Sequence, residues 1–132
     1  MPSSSEHKAK AELHRAFLTT IDVEAHPEWA SVVAFYTTLH LVERLAACEN
    51  KHHDNHNLRL NYLLVHKKHR VIHPDMSALR DASEKARYGT VNQFRRSFPG
   101  DFASEKLIDG CLARIQRHVE DSFKVSNSLS PN

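Results

Sequence analysis

The sequence predicts an all-α fold, a single up-and-down bundle of four to five helices, and three observations carry that expectation. Twenty residues follow Pro27 without a Gly or Pro, ending at Ala47. Apolar residues recur along most of the chain at spacings of three and four, the period of an amphipathic helix. Only three Gly and five Pro occur in 132 residues, which suits helices joined by short links rather than a turn-rich β-protein.

Helix one is expected from Glu6 to about Thr20, after a frayed tail over residues 1–5 from which one serine serves as N-cap. Ala9, Leu13, Ala16, Phe17, Thr20 and Ile21 form its expected buried stripe, with Lys8, Glu12 and Arg15 facing water. The short link 22–26 implies antiparallel packing against the next helix.

Helix two opens at Pro27, where a missing N–H costs nothing in the first turn, and ends near Cys48 or Glu49. Trp29, Val32, Val33, Tyr36, Leu39 and His40 make one expected apolar face; Phe35, Val42, Leu45 and Ala46 make a second. A helix apolar around most of its circumference needs neighbours on several sides, so this one is expected at the centre. Tyr36, His40 and Arg44 are spaced by four and share a polar stripe along it.

KHHDNHN reads as a loop, with Asp54 or Asn55 capping helix three, about His56 to Lys67. Leu60, Leu63 and Leu64 form one edge of its expected buried face, Tyr62 and Val65 the other. The cations of HKKHR, residues 66–70, complement the dipole at its C-terminal end. Helix four opens around Pro74, turns Met76, Leu79, Ala82, Ser83 and Ala86 inward, and ends at Gly89 in the left-handed position. Residues 91–98 are either a further helical turn or a loop. After the break at Pro99-Gly100, Asp101 caps the last helix, whose core stripe is Ile108, Cys111, Leu112, Ile115, Val119 and Phe123. Gly110 is a weakness there or a point of close helix approach. Residues 125–132 are expected to be a flexible polar tail.

The length suits one domain, with no internal repeat. A formal charge of +2 leaves no strong electrostatic footprint for nucleic acid, and DNA is not an expected partner. Cys48 and Cys111 lack metal or redox spacing and are expected as two buried thiols in a reducing compartment. No apolar signal segment or membrane-length run occurs, so a soluble, cytoplasmic protein is expected. No nucleophile elbow, phosphate loop or dinucleotide fingerprint is present.

Eleven histidines are the compositional anomaly. His53-x-x-His56, His66-x-x-His69 and Glu49-x-x-His52 have spacings that could bring ligands together on a helix. A di-iron bundle, however, needs two Glu-x-x-His motifs and two further carboxylates. Histidine abundance accounts for these pairs, and neither a metal site nor a cofactor is expected. Basic and aromatic residues alternate in His66-Lys67-Lys68-His69-Arg70, Lys85-x-Arg87-Tyr88 and Phe94-Arg95-Arg96. That combination suits phosphate neutralisation and stacking on unpaired bases.

Phe35-Tyr36-Thr37-Thr38-Leu39-His40, then His56 and Arg59 after the loop, then Leu79, Ser83, Ala86, Arg87 and Tyr88, resemble in order and spacing the motifs of the HEPN superfamily. The resemblance runs from Trp29 to Tyr88. It implies a helical bundle, commonly homodimeric, that binds RNA or nucleotides. Many members are metal-independent endoribonucleases or toxin components, which suggests a toxin–antitoxin or defence setting and a nucleotidyltransferase-like antitoxin as protein partner. Catalytic members use Arg and His separated by four to six residues, and Arg59 with His66 is the pair in this chain that fits. Near the start of the last helix, Arg114-x-x-x-His118 is one residue short. The expected function is therefore an RNA- or nucleotide-binding module, with an endoribonuclease using Arg59 and His66 as the alternative and a metal-binding bundle enzyme as a third reading. Tyr36, His40, Arg44, His56, Arg59, Arg87 and Tyr88 are the expected binding residues, converging on one cleft. Exposed aromatics at Phe94 and Phe98 would support a homodimer.

Overall fold

A computed structural model describes residues 1–129 and shows six helices with no strand among them. These are α1 (Ser4–Leu18), α2 (Pro27–Cys48), α3 (His56–Val65), α4 (His73–Tyr88), α5 (Val91–Ser97) and α6 (100–129). A single 3-10 turn, Arg70–Ile72, leads into α4. No helix among the described residues is long and apolar enough to cross a membrane.

Local chemistry accounts for most of the boundaries. Ser3 Oγ accepts from the Glu6 N–H at 3.1 Å while Glu6 reaches back to the Ser3 N–H, a capping box that starts α1 earlier than expected and orders the expected frayed tail from Ser4. Asn55 caps α3 through the Leu58 N–H at 2.8 Å. Thr90 and Gln93 form a second capping box, and this makes 91–97 a helix in its own right and raises the helix count to six.

Helix α2 is central, packing against α1, α4, α5 and α6. Ser4 Oγ donates to the Arg44 carbonyl and meets Cys48, so α1 and α2 run antiparallel. The deeper face of α2 is Ala30, Ala34, Phe35, Leu41, Val42, Leu45 and Ala46, closed by Leu63, Met76, Leu79, Leu112, Ile115 and Val119 from other helices. Trp29, expected in the core, is 65% exposed.

Helix α6 begins with one α-helical turn, Gly100–Phe102, continues π-helical over Ala103–Leu112 and returns to α over Ala113–Leu129. A π run widens the helix and rotates the side chains that follow. Its expected core stripe is nonetheless inward, joined by Leu107. Pro99 rather than Asp101 is the N-cap. The helix continues to Leu129 through most of the expected tail; residues 130–132 lie outside the described residues.

Several expectations are corrected. Helix α1 buries His7, Ala11 and Leu18, leaving Leu13 68% and Phe17 56% exposed. Helix α3 buries Arg59, Tyr62 and Leu63 and exposes Leu64 and Val65. Both helices turn a polar residue inward because α2 supplies it with a partner. Phe94 and Phe98 are buried and stacked 5.1 Å apart in this chain's own core, which removes the aromatic argument for a homodimer. Cys48 is exposed, whereas Cys111 is buried.

The glycines serve other ends than expected. Gly89 has extended backbone, φ −92° and ψ 176°, and is small because a Cβ would come within 2.7 Å of the Lys85 carbonyl oxygen. Gly100 lets the start of α6 touch the α1–α2 link, where a Cβ would lie 2.7 Å from Glu24 Cα. At Gly110 the nearest atoms a Cβ would meet belong to its own helix, the Glu105 carbonyl oxygen at 3.2 Å and the Arg114 guanidinium at 3.5 Å.

Candidate functional site

A carboxylate organises the polar interior. Glu43, on the inward side of α2, is 1% exposed. Its Oε1 accepts from Arg59 Nε at 2.9 Å and from His53 Nδ1 at 3.0 Å, and its Oε2 accepts from the His53 backbone N–H at 3.3 Å. Arg59 completes its fork by donating to His56 Nδ1 at 2.9 Å and to the His53 carbonyl at 3.0 Å. Burying a guanidinium and a carboxylate is tolerable only with this degree of satisfaction. The loop 49–55 is thereby tied to α2 and α3 by side chains. Burial lowers the His56 pKa, and the nearby Arg59, Arg80 and Arg87 lower it further.

A histidine layer lies on the α1 side of the same carboxylate. His7 and His40 meet Nδ1 to Nδ1 at 3.1 Å, and His14 stacks on His40 with ring centres 5.4 Å apart. Burial, then the charges of His7 and His14, pushes His40 down to about 4. His52, its side chain 32% exposed, places Nδ1 3.8 Å from Glu43 Oε2 and Nε2 3.0 Å from Asp54 Oδ1.

A second cluster lies where α2 ends, beside α3 and α6. Tyr62 donates to Glu49, His66 Nε2 is 3.1 Å from the same carboxylate oxygen, and His69 Nδ1 is 2.8 Å from His118 Nε2. The rings of His66 and His69 stack at 4.1 Å. Burial, with His66 and His118 adding to it, lowers His69 to about 4. Burial also raises the Tyr62 hydroxyl, helped by its bond to Glu49.

The seven expected binding residues divide among four places rather than one cleft. Tyr36, Arg87 and Tyr88 stay together at the surface: Arg87 Nη1 donates to Tyr36 Oη at 3.1 Å, and its guanidinium lies 5.9 Å from the Tyr36 ring and 5.1 Å from the Tyr88 ring. Tyr88 is 80% exposed. His56 and Arg59 belong to the Glu43 network, and His40 to the histidine layer. Arg44 lies 3.7 Å over the Phe123 ring and lines a groove of about 630 Å³ between α1, α2 and α6.

Arg59 and His66, the expected catalytic pair, are engaged with different carboxylates, Glu43 and Glu49. Sequence reasoning missed the carboxylate at the centre of it all. Glu43 was not singled out, although a charge flanked by Val42, Leu45 and Ala46 was the available signal. His7 was missed because Leu13 and Phe17 offered α1 a more apolar stripe. Comparisons with protein-family models, with characterised proteins and with solved structures return no match for this chain.

Proposed function

We propose that the protein is a HEPN-like module that binds single-stranded RNA or a nucleotide through Tyr36, Arg87 and Tyr88, without Arg59–His66 nuclease chemistry. The observation that carries this reading is Arg87, held against two tyrosine rings at the open end of α4, with no carboxylate paired to it among the described residues. A guanidinium so placed can grip a phosphate while its tyrosine neighbours stack on a base. Arg80, one face along α4, is already engaged with Glu84 and Asn57, so Arg87 is the cation left for a ligand at this patch.

The nuclease alternative loses support from the same geometry. Arg59 is buried and its donors are directed at Glu43, His56 and the His53 carbonyl, so it has no free edge for a phosphorane. A toxin–antitoxin setting belongs to this reading through the resemblance alone, and the neighbouring genes test it.

Anisotropy of a labelled single-stranded RNA, with ATP as the nucleotide probe, tests the binding. At low salt the wild type binds RNA or ATP without cleaving RNA. Tyr88→Ala then weakens binding by about 1–3 kcal/mol, the range for loss of one stacked base. Failure to bind either probe removes the proposal. Cleavage by the wild type that His66→Ala abolishes restores the nuclease.

A further inference from the structure

His7 of α1 and His52 of the loop 49–55, the latter set aside at the level of sequence with its Glu49-x-x-His52 spacing, converge on the buried carboxylate of α2. His7, Glu43 and His52 each offer one ligand atom, and the three atoms lie within 4.8 Å of one another. Two imidazoles and a carboxylate are the donor set of open tetrahedral zinc sites, which keep a fourth position for water or substrate.

Proximity alone does not distinguish this trio, because Glu49, His66 and His69 are equally close. The outer contacts do. A ligating imidazole needs its other ring nitrogen protonated and donating, and a ligating carboxylate needs its second oxygen bonded. His7 turns Nδ1 to His40 Nδ1 at 3.1 Å, which leaves Nε2 to bind. His52 turns Nε2 to Asp54 Oδ1 at 3.0 Å, the carboxylate–histidine arrangement of metal sites, and leaves Nδ1 on the Glu43 side. Glu43 commits Oε1 to Arg59 and His53 and turns Oε2, which also accepts the His53 backbone N–H at 3.3 Å, towards His52.

The other trio has the opposite polarity. His66 Nδ1 accepts from the Lys68 and His69 backbone N–H groups at 3.1 and 3.3 Å, so the ring proton is on Nε2, where a metal would have to be. His69 Nδ1 meets His118 much as His7 Nδ1 meets His40, so it is His66 that sets the two trios apart.

We propose that His7, Glu43 and His52 form a binding site for one divalent transition-metal ion of the zinc class, with His40, Asp54, Arg59 and His53 holding the ligands in orientation. Zinc–nitrogen and zinc–oxygen bonds of about 2.0–2.2 Å place tetrahedral ligand atoms roughly 3.4 Å apart. The trio therefore contracts on binding, and His52 supplies the movement because it is on a loop, whereas His7 and Glu43 are buried on helices. The ion joins α1, α2 and the loop that leads into α3, and its open position faces solvent on the His52 side. This site is independent of the Arg87 patch, and it reverses the metal-free expectation drawn from spacing.

The test uses the full chain, stripped with a chelator and desalted, and titrated with Zn²⁺ and with Co²⁺. One equivalent of Zn²⁺ binds per chain, and Co²⁺ gives the intense visible band of a tetrahedral site. A 100-fold excess over Kd raises Tm by about 10 °C. His52→Ala removes a loop side chain that is 32% exposed and loses the stoichiometric site, with its fold checked by circular dichroism and Tm in the absence of metal. Asp54→Ala keeps the stoichiometry with affinity about 10-fold or more weaker, as expected of a positioning residue. His66→Ala binds as the wild type does. Absence of a stoichiometric site in the wild type overturns the proposal. So does binding that survives His52→Ala or disappears with His66→Ala.

Discussion

Truncating Arg59 separates a structural role for this residue from a catalytic one. In Arg59→Ala the Glu43 carboxylate stays buried on α2 and keeps only His53 of its two closest donors, while His56 Nδ1 and the His53 carbonyl lose the guanidinium. Breaking a buried ion pair by removing one partner costs about 3–5 kcal/mol, because the remaining charge is uncompensated. That is roughly a fifth or more of the stability of an ordinary domain, about 5–15 kcal/mol. For 132 residues the unfolding entropy is about 0.28 kcal/mol/K, so the expected fall in Tm is roughly 10–18 °C. Arg59→Lys keeps the charge without the fork and falls between the two. Urea and thermal unfolding followed by circular dichroism measure the loss, and RNA anisotropy well below the transition measures function. The reasoning predicts large destabilisation with RNA affinity unchanged in the folded variant. A loss below about 1 kcal/mol would show that the guanidinium is not committed to Glu43, since exposed pairs contribute no more than that.

Four further outcomes follow from individual contacts. His69 is pushed down to about 4, against an ordinary value of 6.5, and faces His66, His118, Lys68, Glu49 and Tyr62. The unfolded chain then binds the proton more readily, so stability rises with pH between about 4 and 6.5 and levels off on either side. This residue contributes about 1–3 kcal/mol to that rise, and His69→Gln should flatten the stability–pH curve measured by urea titration. Ser83 Oγ is buried with no hydrogen-bond partner among the described residues, so Ser83→Ala should leave Tm unchanged or raise stability by up to about 1 kcal/mol; a clear fall in Tm would reveal a bond that the structure lacks. Gly100→Ala drives a methyl into Glu24 Cα and should cost about 1–3 kcal/mol in thermal unfolding without loss of helix. Thr90→Ala removes a capping box and should cost about 1 kcal/mol, with more rapid amide exchange confined to α5.

The helical class, the extent and centrality of α2, the Asn55 cap and the inward faces of α4 and α6 were legible in the sequence. They depend on backbone chemistry and on apolar periodicity, which act over a few residues and need no knowledge of neighbours. The faces of α1 and α3 were not legible. Periodicity assigns a core face by hydrophobicity, and it chose Leu13 and Phe17 over His7, and Leu64 and Val65 over Arg59. A buried His or Arg is stable only when another element brings it a partner, and His40 is 33 residues from His7 and Glu43 is 16 from Arg59 along the chain. The same limit governed the candidate sites. Spacing paired Arg59 with His66, whereas the folded chain assigned them to Glu43 and Glu49; the spacing pair His66 and His69 does meet, stacked beside Glu49. The sequence by itself determined the main helices, though not the short one at 91–97 or the run on to Leu129; which polar side chains share an interior was decided by packing, because the energy of a buried charge depends on the groups that surround it.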